Sequence, residues 1–183
     1  MLYSPSYVPS GDEIAVFKTN KGEITVELFG LDAPITVGNF IELALKGFYD
    51  NVKFHRHVPG FVVQGGDPQT KDLTSERVAE IVSAQSGWGY NPGDPRLGTG
   101  GPGYTIRGEF HGNPRKHLDG ALAMARQQDP DTAGSQFYFT LGAQSFLDGQ
   151  YTVFGQTFKG LDVIATLGVG DVIESVIIKN LVA

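Results

Sequence analysis

At 183 residues, with 40% hydrophobic and 19% charged side chains, the chain has the size and composition of one globular, soluble domain with a substantial core. Its formal net charge of -6 and the absence of a Lys/Arg block argue against a nucleic-acid groove or a membrane face, and no apolar run approaches the ~20 residues that span a bilayer. With no cysteine there can be no disulfide or thiolate metal site, and the N-terminus lacks the basic start and apolar run of a secretory leader, so the cytoplasm is the default expectation.

Residues 1–13 are rich in Ser, Pro and Tyr and read as an irregular arm, leaving 14–183 as a single domain. Residues 14–19 and 24–29 are strand-like and separated by the Asn20-Lys21-Gly22 turn. In the second run Ile24, Val26 and Leu28 alternate with Thr25 and Glu27, so one face is buried and the other wet. Asp32 precedes Pro34 at a helix start, and Val37, Phe40, Ile41, Ala44 and Leu45 recur at helical spacing up to Gly47.

An insertion occupies about 69–97. Residues 75–82 predict a short helix with Val78, Ile81 and Val82 on one face, and residues 87–95 predict a loop. The only tryptophan, Trp88, sits in that loop, and a large aromatic between glycines is expected to pack down on a neighbour. The insertion should lie beside whatever pocket the flanking strands form, as a brace, with a lip that selects ligands as the rarer alternative. Beyond it come strand-like runs at 104–106, 121–125, 136–141, 152–158 and 172–179, with a short helix expected at 160–167. Many short strands and few helices predict a closed barrel or a sandwich.

Several motifs resemble chemistry without its context. Residues 98–103 satisfy G-x-G-x-x-G, but a strand-like run follows where a helix N-terminus would have to bind pyrophosphate, so the segment reads as a turn. His55 and His57 fall on one strand face, yet only His111 and His117 remain as further imidazoles, and packed or surface histidines are expected. Asp129-Pro130-Asp131 lacks the alternating ligands of a calcium loop. No Gly-x-Ser-x-Gly accompanies the serines and histidines. No metal and no cofactor are expected.

The segment Phe54-His55-Arg56-His57, followed by Pro59-Gly60-Phe61-Val62 and Gln64-Gly65-Gly66, sets one arginine among apolar and aromatic residues. Arg56 alone would read as a stem covering apolar surface with its head in water. A second block runs from Gly120-Ala121-Leu122-Ala123-Met124-Ala125-Arg126 through Gly134-Ser135-Gln136-Phe137-Tyr138, and a third is Phe146-Leu147-Asp148-Gly149-Gln150-Tyr151. Together and in this order, they resemble the cyclophilin family of peptidyl-prolyl cis–trans isomerases. The resemblance implies a mainly β fold, a closed eight-stranded antiparallel β-barrel capped by two α-helices. It also implies that X–Pro bonds in peptides and unfolded proteins are isomerised without a covalent intermediate.

By the same resemblance Arg56 is the catalytic donor, and Phe61, Val62, Tyr138 and Leu147 wall a proline socket. Gln64 and Gln136 become polar anchors, and Ala125, Arg126 and Gln127 fall in the peptide groove, where one extra residue before the Asp-Pro turn leaves the register open. Three positions depart from the family pattern: Tyr138 stands for a phenylalanine, Phe146 for a tryptophan and Tyr151 for a histidine. The first narrows the socket and brings a hydroxyl that needs a partner; the second implies weakened affinity for cyclosporin-like inhibitors with activity retained. A monomer without nucleic-acid or membrane partners is expected. The residues leave two alternatives open: a module that only holds Pro-containing segments, or a general chaperone, and an unrelated ligand-carrying barrel with an open lumen.

Overall fold

The computed structural model describes residues 1–181; Val182 and Ala183, which close the expected domain, lie outside the described residues. Nine strands form one antiparallel sheet: β1 (Glu13–Thr19), β2 (Gly22–Leu28), β3 (Val52–Lys53), β4 (Arg56–Val58), β5 (Val62–Gly65), β6 (Ala121–Met124), β7 (Phe137–Thr140), β8 (Val153–Lys159) and β9 (Val172–Asn180). Their order is β3-β9-β1-β2-β8-β6-β7-β5-β4. The two ends of this order, β3 and β4, are halves of one segment. Between them the Phe54 amide donates to Asp171 O (2.9 Å), on the β9 side, and the His55 amide to Gln64 O (3.1 Å), on the β5 side. The sheet therefore curls back on itself, and counting the segment once recovers the expected eight strands. The class agrees with expectation; the ninth strand marks where one strand changes partners.

Alternation assigns the two faces. Phe137 and Phe139 point inward with Phe17, Phe40, Phe54 and Phe154, all essentially without solvent exposure. Phe17 lies 5.6 Å from Phe137 and 5.2 Å from Phe139, ring centre to ring centre. Such spacing fills the lumen with tilted and edge-on aromatic pairs, which removes the ligand-carrying barrel from consideration. Val62, Ala121, Ala123, Tyr138, Leu147 and Val153 instead form a second apolar cluster on the outer face.

Three helices accompany the sheet: α1 (Pro34–Leu45), α2 (Ser75–Gln85) and α3 (Leu161–Ile164). Pro34 opens α1, where its missing amide costs nothing. Asp32 does not cap this helix, because its carboxylate pairs with Arg115 at 2.7 Å. Glu109 caps it from a distant segment, accepting from the Ile35 amide (3.1 Å) and from the Thr36 amide and hydroxyl (both 2.7 Å). The expected helix at 160–167 shrinks to the single turn of α3.

The N-terminal arm is irregular and strapped down. Glu42 accepts from the Tyr3 hydroxyl (2.5 Å) and the amides of Ser6 (2.7 Å) and Tyr7 (2.8 Å). The strand-like run at 104–106 makes only isolated bridges, Leu2 to Thr105 and Ile106 to Ala133, because the arm and a loop, rather than a strand, lie alongside it.

In the insertion, α2 runs three residues beyond the expected end, and Thr74 caps it by accepting from the Arg77 amide at 3.1 Å. Val78 and Ile81 bury against Leu97 in a small cluster of their own. Trp88 contradicts expectation: it is fully exposed. Tyr90 takes the packing position instead, donating to Asp94 O at 2.7 Å with the Arg96 guanidinium 4.5 Å from its ring centre, so the Gly-flanked tryptophan is left outside.

Candidate active site

Three ladders build the site. Arg56 lies opposite Gln64, Gln64 opposite Tyr138, and Tyr138 opposite Ala123, making one row across β4, β5, β7 and β6. Directly opposed residues share a face, and this is the outer one. The row borders a cleft of about 210 Å³ lined by Arg56, Phe61, Val62, Gln64, Ala125, Arg126, Tyr138, Leu147 and Tyr151. A larger hollow of about 450 Å³ adjoins it across Gln64, Ala125 and Arg126, and continues along Gln127, Thr132, Gln136 and the glycine-rich run at 98–103.

Side-chain amides orient the arginine. Arg56 Nη1 donates to Gln64 Oε1 (3.3 Å), Gln64 Nε2 to Gln136 Oε1 (3.0 Å), and Gln136 Nε2 to Gly100 O (2.8 Å). Gly66 makes this close assembly possible: its φ is +97°, and a Cβ there would lie 2.4 Å from Ser135 O. The turn it permits delivers buried Asp67, whose carboxylate accepts from the amides of Gln69 (2.8 Å), Gly98 (2.7 Å) and Gly100 (3.2 Å). Both ends of the insertion thus meet at one side chain. None of residues 69–97 lines either cavity, but the insertion touches the lining directly: Gln69 Nε2 donates to Thr99 Oγ1 (3.1 Å), and the Thr99 hydroxyl donates to Arg96 O (2.7 Å).

The Tyr138 hydroxyl finds its partner in His117, whose Nε2 is 2.8 Å away, while His117 Nδ1 is 2.9 Å from Asp148 Oδ1. Burial pushes the Tyr138 phenol well above its ordinary range, so it stays a donor. Burial also lowers the His117 pKa, against the pull of Asp148. Burial would raise Asp148, but the amide and ring N–H of His117 outweigh it and hold the carboxyl low. Neutral His117 with its proton on Nδ1 satisfies all three groups. Sequence reasoning missed His117 and Asp148; the one signal was the Tyr138 hydroxyl, which demanded a partner without naming it.

Of the remaining sequence candidates, Gln127 and Gln136 line the larger hollow, and Phe146 lines neither cavity. Phe146 stacks on Phe61 at the rim, centres 5.7 Å apart, and is 63% exposed. His55 is buried and His57 exposed, so the two imidazoles do not converge as one face would require. Among the described residues no group of three His, Asp or Glu side chains is placed to hold a metal ion.

Comparison with known proteins agrees with this architecture. The family model for cyclophilin type peptidyl-prolyl cis-trans isomerases matches residues 14–182. A peptidyl-prolyl cis-trans isomerase of Helicobacter pylori is 41% identical over 168 residues, covering 91% of this chain and 86% of that protein. Peptidyl-prolyl cis-trans isomerase B of Bacillus subtilis is 41% identical over 158 residues, covering 86% and 92%. The crystal structure of a Cryptosporidium parvum cyclophilin type isomerase superposes with a TM-score of 0.72 at 27% identity, covering 92% of this chain and 98% of that one. The same protein in the presence of the dipeptide Ala-Pro gives 0.70 at 27% identity, covering 91% and 99%.

Proposed function

The chain belongs to the cyclophilin-type peptidyl-prolyl cis-trans isomerase family, and from that premise we propose how its own residues perform the reaction. It catalyses rotation about X–Pro peptide bonds. Rotation must cross ~18–20 kcal/mol because the amide loses its resonance on the way. In the twisted state the carbon–nitrogen bond is nearly single and the prolyl nitrogen carries a localised lone pair. No bond is broken, so the task reduces to gripping the ring, placing a donor and thinning the water that stabilises the planar amide.

Arg56 is that donor. The observation that carries this reading is its setting: at the edge of a cleft that also holds Phe61, Val62, Tyr138 and Leu147, it is tied to one amide oxygen at 3.3 Å and to no carboxylate among the described residues. Its charge is therefore available to a ligand. A charge-assisted hydrogen bond contributes about 1.5–3 kcal/mol, and each ~1.4 kcal/mol is tenfold in rate, so Arg56 accounts for roughly ten- to a hundredfold. Phe61, Val62, Tyr138 and Leu147 receive the proline ring, and Gln64, held by Gln136, keeps the guanidinium aimed. Ala125, Arg126, Gln127 and Tyr151 flank the bound peptide. The ligands are proline-containing peptides and unfolded proteins, taken up by a single protomer.

Exchange NMR on a short Ala-Pro peptide tests this. Fast cis–trans exchange with the wild type that falls at least tenfold with Arg56→Ala is the expected result. A wild type that binds the peptide and leaves exchange slow would overturn it in favour of a holding module.

A further inference from the structure

The chain has 14 basic and 20 acidic side chains, yet no Asp or Glu lines either cavity. The charged side chains there are Arg56 and Arg126 in the cleft and Arg126 alone in the larger hollow. Arg126 stands on the wall the two share. Its Nε and Nη2 donate to Gln150 O (3.1 and 2.7 Å), and Nη1 donates to Gln127 O (2.9 Å) and Gln128 O (3.0 Å). The guanidinium carbon lies 4.7 Å from the ring centre of Tyr151 and 5.3 Å from that of Phe110. Neutral carbonyls and rings fix its position without cancelling its charge.

Two acids of the same loop and one of the 146–151 loop are otherwise engaged. Asp129 accepts from the Asp131 amide (2.9 Å), Asp131 from the Gly108 amide (2.9 Å), and Asp148 is bound to His117. Among the described residues Arg126 makes no ion pair. The hollow beside it is open at Gly101, which lines it and where an added Cβ would meet nothing within 4 Å. An immobilised cation without an ion pair, facing an unfilled hollow with one Nη2 N–H left over, attracts an anion by its charge more than by its hydrogen bonds.

We propose that Arg126 is a specificity-determining residue that selects peptides carrying an Asp or Glu side chain close to the proline, on the side of the larger hollow. This rests on the reading that the adjoining cleft receives the proline ring. The preference for Glu over Lys at the favoured position should be about two- to fivefold in kcat/KM, the size of an ion pair at a half-exposed site. It should shrink as salt screens it.

The test is exchange NMR on peptides in which Glu, Gln and Lys are placed in turn at the two positions before and the two after proline, at low salt and at high salt. Expected is a preference for Glu at one position with the wild type, reduced at high salt, abolished by Arg126→Gln and partly kept by Arg126→Lys. Equal turnover of Glu and Lys peptides by the wild type overturns the proposal, and so does a preference that persists in Arg126→Gln. The wild-type series and its salt dependence need no variant to fold. If every peptide were turned over equally and Arg56→Ala abolished it, only the selectivity would be lost. If none were turned over, the isomerase reading would fail, and dissociation constants from shift titrations of the same peptides would still decide the selectivity.

Discussion

The Tyr138 hydroxyl and the Nε2 of His117, 2.8 Å apart, form a buried contact directly behind the row that carries Arg56, with Asp148 closing its far side at 2.9 Å. Tyr138 is 5% exposed and His117 1%, so neither polar tip can turn to water for a substitute partner. A phenol at this position is therefore tolerable only because the imidazole is there to accept from it, and the imidazole keeps the right tautomer only because Asp148 accepts from Nδ1.

Replacing His117 by Leu should cost about 1–3 kcal/mol of stability, because it leaves the Tyr138 hydroxyl buried and unpaired. The double variant Tyr138→Phe with His117→Leu should regain most of that loss, since both polar partners are then gone. Urea unfolding of the two single variants and the double variant measures the coupling. Costs that simply add would show that the two side chains do not depend on each other.

Stability should depend on pH through the buried histidines. Burial lowers His117 from its ordinary value of 6.5, and burial likewise lowers His55, whose ring nitrogens have no hydrogen-bond partner among the described residues. Both groups thus bind a proton less readily in the folded than in the unfolded chain. Their contribution is intact above about 6.5, the unfolded value, and is lost as pH falls through it toward the folded values. Urea midpoints measured between pH 7.5 and 5 should decline accordingly. An NMR titration placing the His117 midpoint above 6.5 would reverse the sign and refute the argument.

Much of this fold was legible because its strands advertise themselves by alternation: Ile24, Val26 and Leu28 bury while Glu27 does not. The gathering of Phe61, Val62, Tyr138 and Leu147 around one cleft was legible for a different reason, since they come from short contiguous motifs that the resemblance could align. What stayed hidden depends on distant partners. Nothing in the run at 104–106 reveals that its neighbours are the N-terminal arm and the Ala133 loop rather than a strand. Trp88 could be sized but not directed, because Tyr90 competes for the same packing position. His117 and Tyr138 are 21 residues apart and meet only after β6 pairs with β7.

Phe146 should set the affinity for cyclosporin-like inhibitors. It stacks on Phe61 at the rim, mostly exposed, and a phenyl ring offers no N–H donor where the family pattern has an indole. Cyclosporin should bind weakly, and Phe146→Trp should tighten it by up to roughly tenfold, the worth of one added hydrogen bond. Calorimetric titration of both proteins checks this. A low-nanomolar dissociation constant for the wild type would sink it.

Asp67 is linked to Arg56 by a chain of hydrogen bonds without touching it. Its carboxylate holds the amides of Gly98 and Gly100, Gly100 O holds Gln136, Gln136 holds Gln64, and Gln64 holds the guanidinium. An amide at position 67 has one acceptor oxygen in place of two and adds donors that face other donors, so Asp67→Asn should destabilise the protein by about 1–3 kcal/mol. It should also lower kcat/KM for the Ala-Pro peptide, because Gln64 and Arg56 lose their fixed geometry, and the loss should fall short of that in Arg56→Ala. The discriminating measurement is a double-mutant cycle at a temperature where every variant is folded. If Asp67 acts through the arginine, Asp67→Asn should subtract little further activity from Arg56→Ala, since there is no guanidinium left to misplace. A full, additive loss in that background would mean that Asp67 serves the cavity wall alone, and that the relay of amides does not position the arginine.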